Sequence, residues 1–281
     1  MTPDVGRTTV GVVQLCATPD VEANMTTVER LVATACDAGA EVVLLPEAFA
    51  FLGPEKAKRE ILEQLPEAAG APGGPILERC RAIATRHGCH LILGGFHEDA
   101  GDPEKSYNTC VHLSPGGEIL ARYRKVHLFD VSLADGTQLR ESTRTAAGDQ
   151  LITTELPFGK LGLSICYDLR FPYLYQSLVD MGAVALTVPS AFTKTTGAAH
   201  WHVLLRARAI ECQSYVIAPA QHGHNWGKRH SFGHSLIVDP WGDIVAERRD
   251  GDGVAVAEVD PERVRQVRAE LPSLTHRRLL E

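Results

Sequence analysis

Short apolar runs bounded by turn residues are the feature that most constrains the fold of this chain. Glu41–Leu45, Cys89–Phe96 and Ala183–Val188 each have the length of a strand and consist mainly of apolar side chains. Continuous runs of this kind are typical of strands that are buried on both faces of a sheet. Helix signals separate them, so strands and helices are predicted to alternate along the chain.

The remaining elements favour a layered arrangement. Further strands are predicted at Thr9–Leu15 and Leu161–Cys166, and helices at Val21–Ala38, at Pro75–His87, from about Pro172 and at Ala198–Gln213. Turn residues between two runs of alternating apolar and polar side chains indicate a β-hairpin. This pattern occurs twice, at Ser114–Ile119 and Asp239–Ile244. The chain thus mixes helices that connect parallel strands with antiparallel hairpins. This mixture favours a layered α/β sandwich over an eight-fold barrel or a purely parallel sheet. The chain, residues 1–281, is predicted to form one domain.

Composition excludes several classes of function. The formal net charge of −7 argues against nonspecific binding to nucleic acid or to an acidic membrane surface. No apolar run reaches the roughly 18 residues of a membrane-spanning helix, and the first residues lack the pattern of a secretory signal. The seven cysteines form no Cys-x-x-Cys pair, which favours a reducing cytoplasm and excludes a disulfide framework or a cysteine zinc site. All but Cys166 are predicted to be small buried side chains.

Cys166 is the cysteine with a catalytic context. A strand is predicted to run into it, and a helix begins about six residues later, near Pro172. Proteins of the α/β class place nucleophiles at such strand-to-helix turns, where backbone N–H groups face the substrate. A buried structural cysteine is the alternative, and the polar residues after Cys166 favour the catalytic interpretation.

A cysteine nucleophile needs a base and a group that stabilises an oxyanion. Histidine is the usual base, but none of the twelve histidines has a catalytic context. His222, His224, His230 and His234 are the candidates for a metal site, which would make the protein a metallohydrolase. Their spacing fits no pair of ligands on one helix face, and no acidic or cysteine ligand accompanies them, so ordinary loop histidines are favoured.

Two charged residues also lie at predicted strand ends. Glu47 follows the run Glu41–Leu45 directly after Pro46, and Lys125 follows Ile119–Arg124. Strand ends share one crevice in an open α/β sheet, so such residues can approach a nucleophile at another strand end. Taken singly, each residue is more typical of a solvated surface charge, and spacing alone says nothing about Glu141.

Three sequence blocks contain these residues: Leu44–Phe49 (LLPEAF), Tyr123–Asp130 (YRKVHLFD) and Ser164–Pro172 (SICYDLRFP). In this order and at these distances they resemble the nitrilase superfamily, and the resemblance extends from Val10 to Arg278. It implies a four-layer αββα sandwich that dimerises through its αβ layers. It also implies that the enzyme uses neither a metal nor an organic cofactor.

The resemblance assigns roles to individual residues. Glu47, Lys125 and Cys166 match the Glu–Lys–Cys triad, and Glu141 lies at the position of a second active-site glutamate in Nit-like proteins. The backbone N–H of Tyr167 is expected to stabilise the oxyanion together with Lys125. Glu47 is expected to act as the base because a poorly solvated site raises its pKa towards neutrality.

Substrate contacts are predicted from position and resemblance. Substrates of this branch carry carboxylates, and Arg170, four residues beyond the nucleophile, is a candidate to bind one. An ion pair with Asp168 is an equal alternative for Arg170. Phe192 and Thr196 are predicted to line the substrate pocket.

Within the superfamily, the chain is most similar to the Nit branch of amidases that cleave deaminated glutathione. The expected reaction is hydrolysis of a small carboxylate-bearing amide through a thioester acyl-enzyme, with release of ammonia. An ω-amidase acting on α-ketoglutaramate, or another hydrolase of amides or carbamoyl compounds, is the alternative, and nitrile hydrolysis is disfavoured. A non-catalytic binding module is also disfavoured, because binding alone does not require the three triad residues. Expected partners are a small amide and a second copy of the chain.

Overall fold

A computed structural model describes residues 5–68, 70–132 and 138–278. Within these residues most strands belong to two sheets. The larger sheet contains β1 (Thr8–Leu15), β2 (Val42–Leu44), β3 (His90–Asp102), β4 (Lys105–Leu113), β5 (Ile119–Arg124), β12 (Ala220–Trp226), β13 (Arg229–Phe232) and β16 (Gly253–Val259). The smaller sheet contains β8 (Thr153–Leu156), β9 (Gly159–Gly162), β10 (Ala185–Thr187), β11 (Tyr215–Ala218), β14 (Ser235–Val238) and β15 (Ile244–Arg248). A short ribbon pairs β6 (Asp130–Ser132) with β7 (Gln138–Arg140).

The α-helices are α1 (Val21–Asp37), α2 (Glu55–Lys58), α3 (Pro75–His87), α4 (Pro172–Asp180), α5 (Lys194–Cys212) and α6 (Pro261–Glu270). Short 3-10 helices occupy Arg59–Ile61, Glu141–Thr143, Cys166–Arg170 and Ser273–His276. No helix in the described ranges is long and apolar enough to cross a membrane.

The elements stack in four layers. Helices α1 and α3 pack on the outer face of the larger sheet, and α4 and α5 pack on the outer face of the smaller sheet. The inner faces of the two sheets meet in one apolar cluster. The αββα sandwich implied by the resemblance is therefore confirmed, and parallel pairs such as β1–β2 coexist with hairpins such as β4–β5.

Strand β2 shows why its apolar run is continuous. Val42 and Leu44 belong to the cluster between the sheets, whereas Val43 and Leu45 pack with α1 and α3. Successive side chains of a strand point to opposite faces, so a strand between two apolar layers has no polar position. Burial on both faces is confirmed for this run.

Two helices illustrate how well local signals set helix ends. The bounds of α3 are as predicted, with Pro75 in the first turn and Gly88 after the last turn at a φ of 60°. Helix α5 begins at Lys194, before the predicted start, because the Thr193 side chain caps it and accepts a hydrogen bond from the backbone N–H of Thr196. Side-chain caps of this kind stabilise a helix start.

The strand predicted to run into Cys166 ends earlier than expected. Strand β9 ends at Gly162, and a 3-10 helix begins at Cys166. The backbone N–H of Ile165 donates to the Asp168 carboxylate at 2.8 Å, so a side chain replaces a neighbouring strand as its partner. This local hydrogen bond ends the strand and forms the turn at the nucleophile.

Gly94 and Gly95 of β3 let the chain after β2 pack directly against the sheet. A Cβ atom at Gly94 would overlap the carbonyl oxygen of Leu45 and the side chain of Pro189, and one at Gly95 would lie 2.9 Å from the Cα of Glu47. Glycine within a strand is typical of such close backbone approach. The position of Glu47 therefore depends on these two glycines.

We expect Gly94→Ala to destabilise the protein by about 3 kcal/mol or more, because the methyl group meets backbone atoms that cannot move aside. Urea unfolding followed by circular dichroism measures the effect. The control is Gly6→Ala, where a Cβ atom has no neighbour within 4 Å and the change should stay within about 0.5 kcal/mol. Equal unfolding midpoints for the two variants would contradict the close-packing argument.

Candidate active site

The ends of three strands bring Glu47, Lys125 and Cys166 to one cavity. Glu47 follows β2, Lys125 directly follows β5, and Cys166 lies beyond the end of β9. All three line a cavity of about 550 Å³, as does Glu141 from the 3-10 helix after β7. A second hollow of about 610 Å³, beside α3 and the β4–β5 turn, is lined by none of them. The structure thus brings together the four side chains predicted to form a catalytic site.

Two carboxylates share the ammonium group of Lys125. Its Nζ lies 2.9 Å from Oε1 of Glu47 and 2.9 Å from Oε2 of Glu141. The Lys125 side chain is fully buried and that of Glu47 is nearly so. Burial strengthens these ion pairs and makes the loss of either partner costly, about 3–5 kcal/mol for a buried pair.

The thiol of Cys166 contacts the same carboxylate. It lies in hydrogen-bond contact with Glu47 and with the backbone N–H of Ala191. The backbone N–H of Ala191 also donates to Oε2 of Glu47 at 2.9 Å. Cys166 is only 8% exposed, so a substrate reaches the sulfur through the cavity and not from the outer surface. This geometry allows direct proton exchange between thiol and carboxylate.

Burial and the neighbouring charges act against each other on the pKa values of this cluster. Burial disfavours the charged form of Lys125, but Glu141 and Glu47 raise its pKa well above the ordinary value. Burial likewise opposes ionisation of Glu47, but Lys125 and the hydrogen bonds from Cys166 and Asn108 lower its pKa. Burial and the charge of Glu47 raise the pKa of Cys166. The resting site therefore contains a neutral thiol beside an ionised Glu47–Lys125 pair.

One expectation about Glu47 is wrong. Its pKa is lowered and does not move towards neutrality, because the cation and the hydrogen-bond donors around it outweigh burial. Asn108, which the sequence analysis missed, is one of these donors: its Nδ2 lies 2.9 Å from Oε1 of Glu47 and 3.4 Å from Oε1 of Glu141. The signal that could have identified Asn108 is its polar side chain within the mostly buried strand β4.

The backbone around Cys166 exposes a hydrogen-bond donor. Cys166 has a φ of 50°, a left-handed conformation that is rare and costly for residues other than glycine. The next residue is Tyr167, and its backbone N–H has no acceptor in the ranges that the structure describes. The N–H directly after a nucleophile contributes to the oxyanion hole in α/β hydrolases.

Asp168 fixes this turn relative to the strand that carries the lysine. Its fully buried carboxylate accepts from the hydroxyl of Tyr123 at 2.7 Å and from the backbone N–H of Ile165 at 2.8 Å. It also accepts from the backbone N–H of His127 at 3.0 Å and contacts the Nδ1 of the same residue at 2.8 Å. Residues beside the lysine and beside the nucleophile are thereby held by one side chain.

Arg170 lies outside the lining of the cavity. The 3-10 helix directs it towards α5, where its guanidinium lies 3.4 Å from Nδ1 of His200 and 5.5 Å from the ring centre of Phe192. No ion pair of Arg170 with Asp168 occurs among the described residues, because the Asp168 oxygens accept from other groups.

Phe192 and Thr196 are also not among the residues that line the cavity. Phe192 is buried and packs against Trp201, with ring centres 4.9 Å apart. The Thr196 hydroxyl lies 2.8 Å from that of Thr193 and belongs to the cap of α5. The predicted substrate contacts of both residues therefore find no support in their placement.

The four histidines considered as a metal site do not converge. His222 contacts Asp252 at 2.8 Å, His224 contacts the carbonyl of Gly227, His230 contacts the carbonyl of Lys228, and His234 contacts Glu247 at 2.8 Å.

Among the described residues, a different trio comes together, namely His202, His234 and Glu247. Both histidines contact Oε1 of Glu247 at 2.8 Å, and Arg249 donates to its other oxygen. Burial opposes ionisation there, but these hydrogen bonds lower the pKa of Glu247 to about 2. The trio is thus a hydrogen-bonded link between α5 and β15.

Comparison with known proteins identifies the family. The Carbon-nitrogen hydrolase family matches residues 9–269. A deaminated glutathione amidase from Synechocystis sp. is 46% identical over 267 residues, which cover 94% of this chain and 96% of the relative. The crystal structure of Saccharomyces cerevisiae Nit3, a member of branch 10 of the nitrilase superfamily, matches with a TM-score of 0.85 and 32% identity over 95% of each chain.

A more distant structure contains a modified nucleophile. It is a mutant of the amidase from Nesterenkonia sp. AN1, in which acrylamide has added to the active-site cysteine. The TM-score is 0.77 at 25% identity, and the match covers 95% of this chain and 98% of that chain. Together these relatives identify a hydrolase of carbon–nitrogen bonds other than peptide bonds. The chain therefore belongs to the carbon–nitrogen hydrolase family, within the nitrilase superfamily.

Proposed function

We propose that this protein hydrolyses a small carboxylate-bearing amide through a thioester on Cys166, and that deaminated glutathione is its substrate. One observation carries the mechanism: the buried thiol contacts a glutamate whose other partner is a buried lysine. A nucleophile, a base and a cation for the oxyanion then meet in one cavity. The name of the Synechocystis relative supports the substrate.

The first step forms the carbon–sulfur bond. Cys166 transfers its proton to Glu47 as the sulfur attacks the amide carbonyl, whose oxygen becomes negative. Because the pKa of the thiol is raised and that of Glu47 is lowered, a free thiolate is unfavourable in the resting site. Proton transfer and bond formation therefore proceed together. The Lys125 ammonium and the backbone N–H of Tyr167 stabilise the oxyanion, and one such donor is worth about 2.7–4 kcal/mol in other hydrolases.

The remaining steps return the enzyme to its starting state. Glu47 gives its proton to the leaving nitrogen, the carbon–nitrogen bond breaks, and a thioester remains on Cys166. Glu47 then takes a proton from water, which attacks the thioester and releases the acid, and the proton returns to the sulfur. One water is consumed, and one acid and one amine are formed for each amide.

Glu141 and Asn108 act by positioning the other groups. Glu141 accepts from Lys125 and from the backbone N–H of Phe129 at 2.7 Å, which fixes the ammonium in the cavity. Asn108 donates to both glutamates and so keeps the two carboxylates on either side of the lysine. We assign them no direct contact with the reacting carbonyl.

The substrate determines which group leaves. Both amides of glutathione are secondary, with a second carbon substituent on the nitrogen, so hydrolysis of its deaminated form releases an amine in place of the ammonia expected from the sequence. Ammonia is released only from a primary amide such as α-ketoglutaramate. Deaminated glutathione keeps both carboxylates of glutathione and lacks its amino group, which agrees with the carboxylate-bearing substrate expected from the sequence.

We also infer a homodimer, one domain and a cytoplasmic location. Val203 and Ile210 lie seven residues apart on one face of α5, and Val203 is 68% exposed. Gly242 packs closely against Ile210. The residue before it, Trp241, is exposed and therefore lies beside the same face. Such an apolar face is suited to cover by a second copy. A single family match over residues 9–269 supports one domain, and seven free thiols suit a reducing compartment.

Cys166→Ala should lower kcat by at least about a thousandfold while leaving the circular dichroism spectrum unchanged, because no other group can form the thioester. Product analysis by mass spectrometry with deaminated glutathione should detect an amine and no ammonia. The control is Cys16→Ala, a half-buried thiol that does not line the cavity. Wild-type activity in Cys166→Ala would refute the mechanism, and ammonia as the only nitrogen product across a panel of amides would refute the substrate. A chelator should change the rate of neither the wild type nor Cys16→Ala, because the proposed mechanism uses no metal.

The lowered pKa of Glu47 predicts the pH dependence. Glu47 must be ionised to accept a proton, so kcat/KM should stay constant from neutral pH downwards and fall only below pH 4.5, the unperturbed value. Asn108→Leu removes one donor to the carboxylate and should shift this fall to higher pH. Thr143→Val is the control, since Thr143 lines the cavity without contacting Glu47. A fall near neutral pH in the wild type would contradict the pKa assignment.

The dimer is tested by light scattering coupled to size-exclusion chromatography. The wild type should have twice the mass of one chain, and Val203→Glu should shift it towards the monomer because a buried charge without a partner destabilises an interface. Leu120→Glu is the control, a comparably exposed apolar residue on β5. A wild-type monomer, or equal effects of both variants, would refute the proposed interface.

A further inference from the structure

Most charged side chains that line the cavity are paired with a neighbour. Lys58 pairs with Glu55 at 2.7 Å, and Arg144 pairs with Glu104. The ammonium of the catalytic cluster is shared by two glutamates. In the described ranges, these pairs leave two cavity cations that form no salt bridge, although one of them lies opposite Asp130 in the β6–β7 ribbon, where hydrogen bonds and, to a smaller extent, this cation lower the pKa of that carboxyl.

The two are Arg140 and Arg229, and they differ in how firmly they are held. Arg140 is exposed at the end of β7. Arg229 is half-buried, and its Nη2 donates to the carbonyl oxygen of Ala191 at 2.7 Å. Its Nε is buried and has no hydrogen-bond partner among the described residues. A buried N–H of a guanidinium is costly without an acceptor, and a carboxylate supplies two acceptors in the matching geometry.

Ala191 links Arg229 to the reacting centre. Its N–H contacts Glu47 and Cys166, and its carbonyl oxygen accepts from Arg229. The N–H and carbonyl of one residue lie within about 4 Å of each other, so the guanidinium is roughly 10 Å or less from the sulfur. A carboxylate several bonds from the attacked carbonyl spans this distance.

Trp226 provides an apolar surface next to this cation. Trp226 and Arg229 are partners in the β12–β13 hairpin, and side chains of directly opposed residues lie on the same face. Trp226 is 39% exposed and also lines the cavity. An indole beside a guanidinium suits a ligand that carries a short hydrocarbon chain ending in a carboxylate.

We propose that Arg229 binds a carboxylate of the amide substrate and that Trp226 covers the hydrocarbon next to it. The inference rests on the proposed function and adds the residue that selects carboxylate-bearing amides. The carboxylate belongs to the acyl side or to the amine side of the scissile bond. The chemistry is the same in both cases, and matched substrates distinguish them.

The experiment compares kcat/KM of the wild type and Arg229→Gln on two pairs of amides. Glutaramate and pentanamide differ in a carboxylate on the acyl side, and deaminated glutathione and its C-terminal amide differ in one on the amine side. Arg229→Gln should lose about 10- to 100-fold on the member of one pair that carries the distinguishing carboxylate and less than about threefold on the member that lacks it. The pair that shows this selective loss identifies the side.

Two further variants separate charge recognition from folding. Lys228→Gln removes a positive charge from the adjacent exposed position, which does not line the cavity. This variant should leave kcat/KM unchanged on both pairs of amides. Arg229→Lys keeps the charge without the bidentate geometry and should show an intermediate loss. Equal losses within both pairs, or no loss with Arg229→Gln on any of the four amides, would overturn the proposal.

Binding measurements keep this test independent of turnover. Calorimetry with glutarate should show binding to Cys166→Ala protein, weakened about 10- to 100-fold when Arg229→Gln is added. Equal affinity in the two proteins would overturn the carboxylate site even if catalysis proceeds. Absence of turnover by the wild type on every amide would instead refute the proposed function, while selective glutarate binding would still support the role of Arg229.

Discussion

The site depends on one buried ammonium shared by two carboxylates. Lys125 carries one positive charge against the two negative charges of Glu47 and Glu141, so the cluster has an excess negative charge. Backbone and amide N–H groups partly offset this excess, notably those of Ala191, Phe129 and Asn108. Burial, together with the charge of Glu47, raises the pKa of the Cys166 thiol and keeps the proton on the sulfur until a carbonyl arrives.

Sequence reasoning predicted the site where chemistry coincides with strand ends. The apolar run before Glu47 and the alternating run before Lys125 each end where a side chain enters the cavity. Asn108 was missed because it lies within β4, where sequence alternation does not reveal which polar residue faces a catalytic group. The pKa of Glu47 was misjudged for a related reason, since the donors that lower it come from elements distant in sequence.

Fold prediction succeeded for the layers and failed at particular boundaries. Apolar runs and helix signals gave the sandwich because each reports on the burial of its own segment. The end of β9 and the start of α5 depend instead on single side-chain hydrogen bonds, those of Asp168 and Thr193. Likewise, the contact between His234 and Glu247 joins residues that are distant along the chain, so histidine spacing, which argued against a metal cluster, could not reveal this pairing.

The catalytic groups come from both sheets. Glu47 and Lys125 extend from the larger sheet, whereas Cys166 and Ala191 extend from the smaller one. Neither sheet alone contains both a nucleophile and its base. A chain whose sheets have not docked therefore has a thiol with no base beside it. Catalytic competence arises only when the two sheets pack together, so the interface between them is as necessary for turnover as the nucleophile itself.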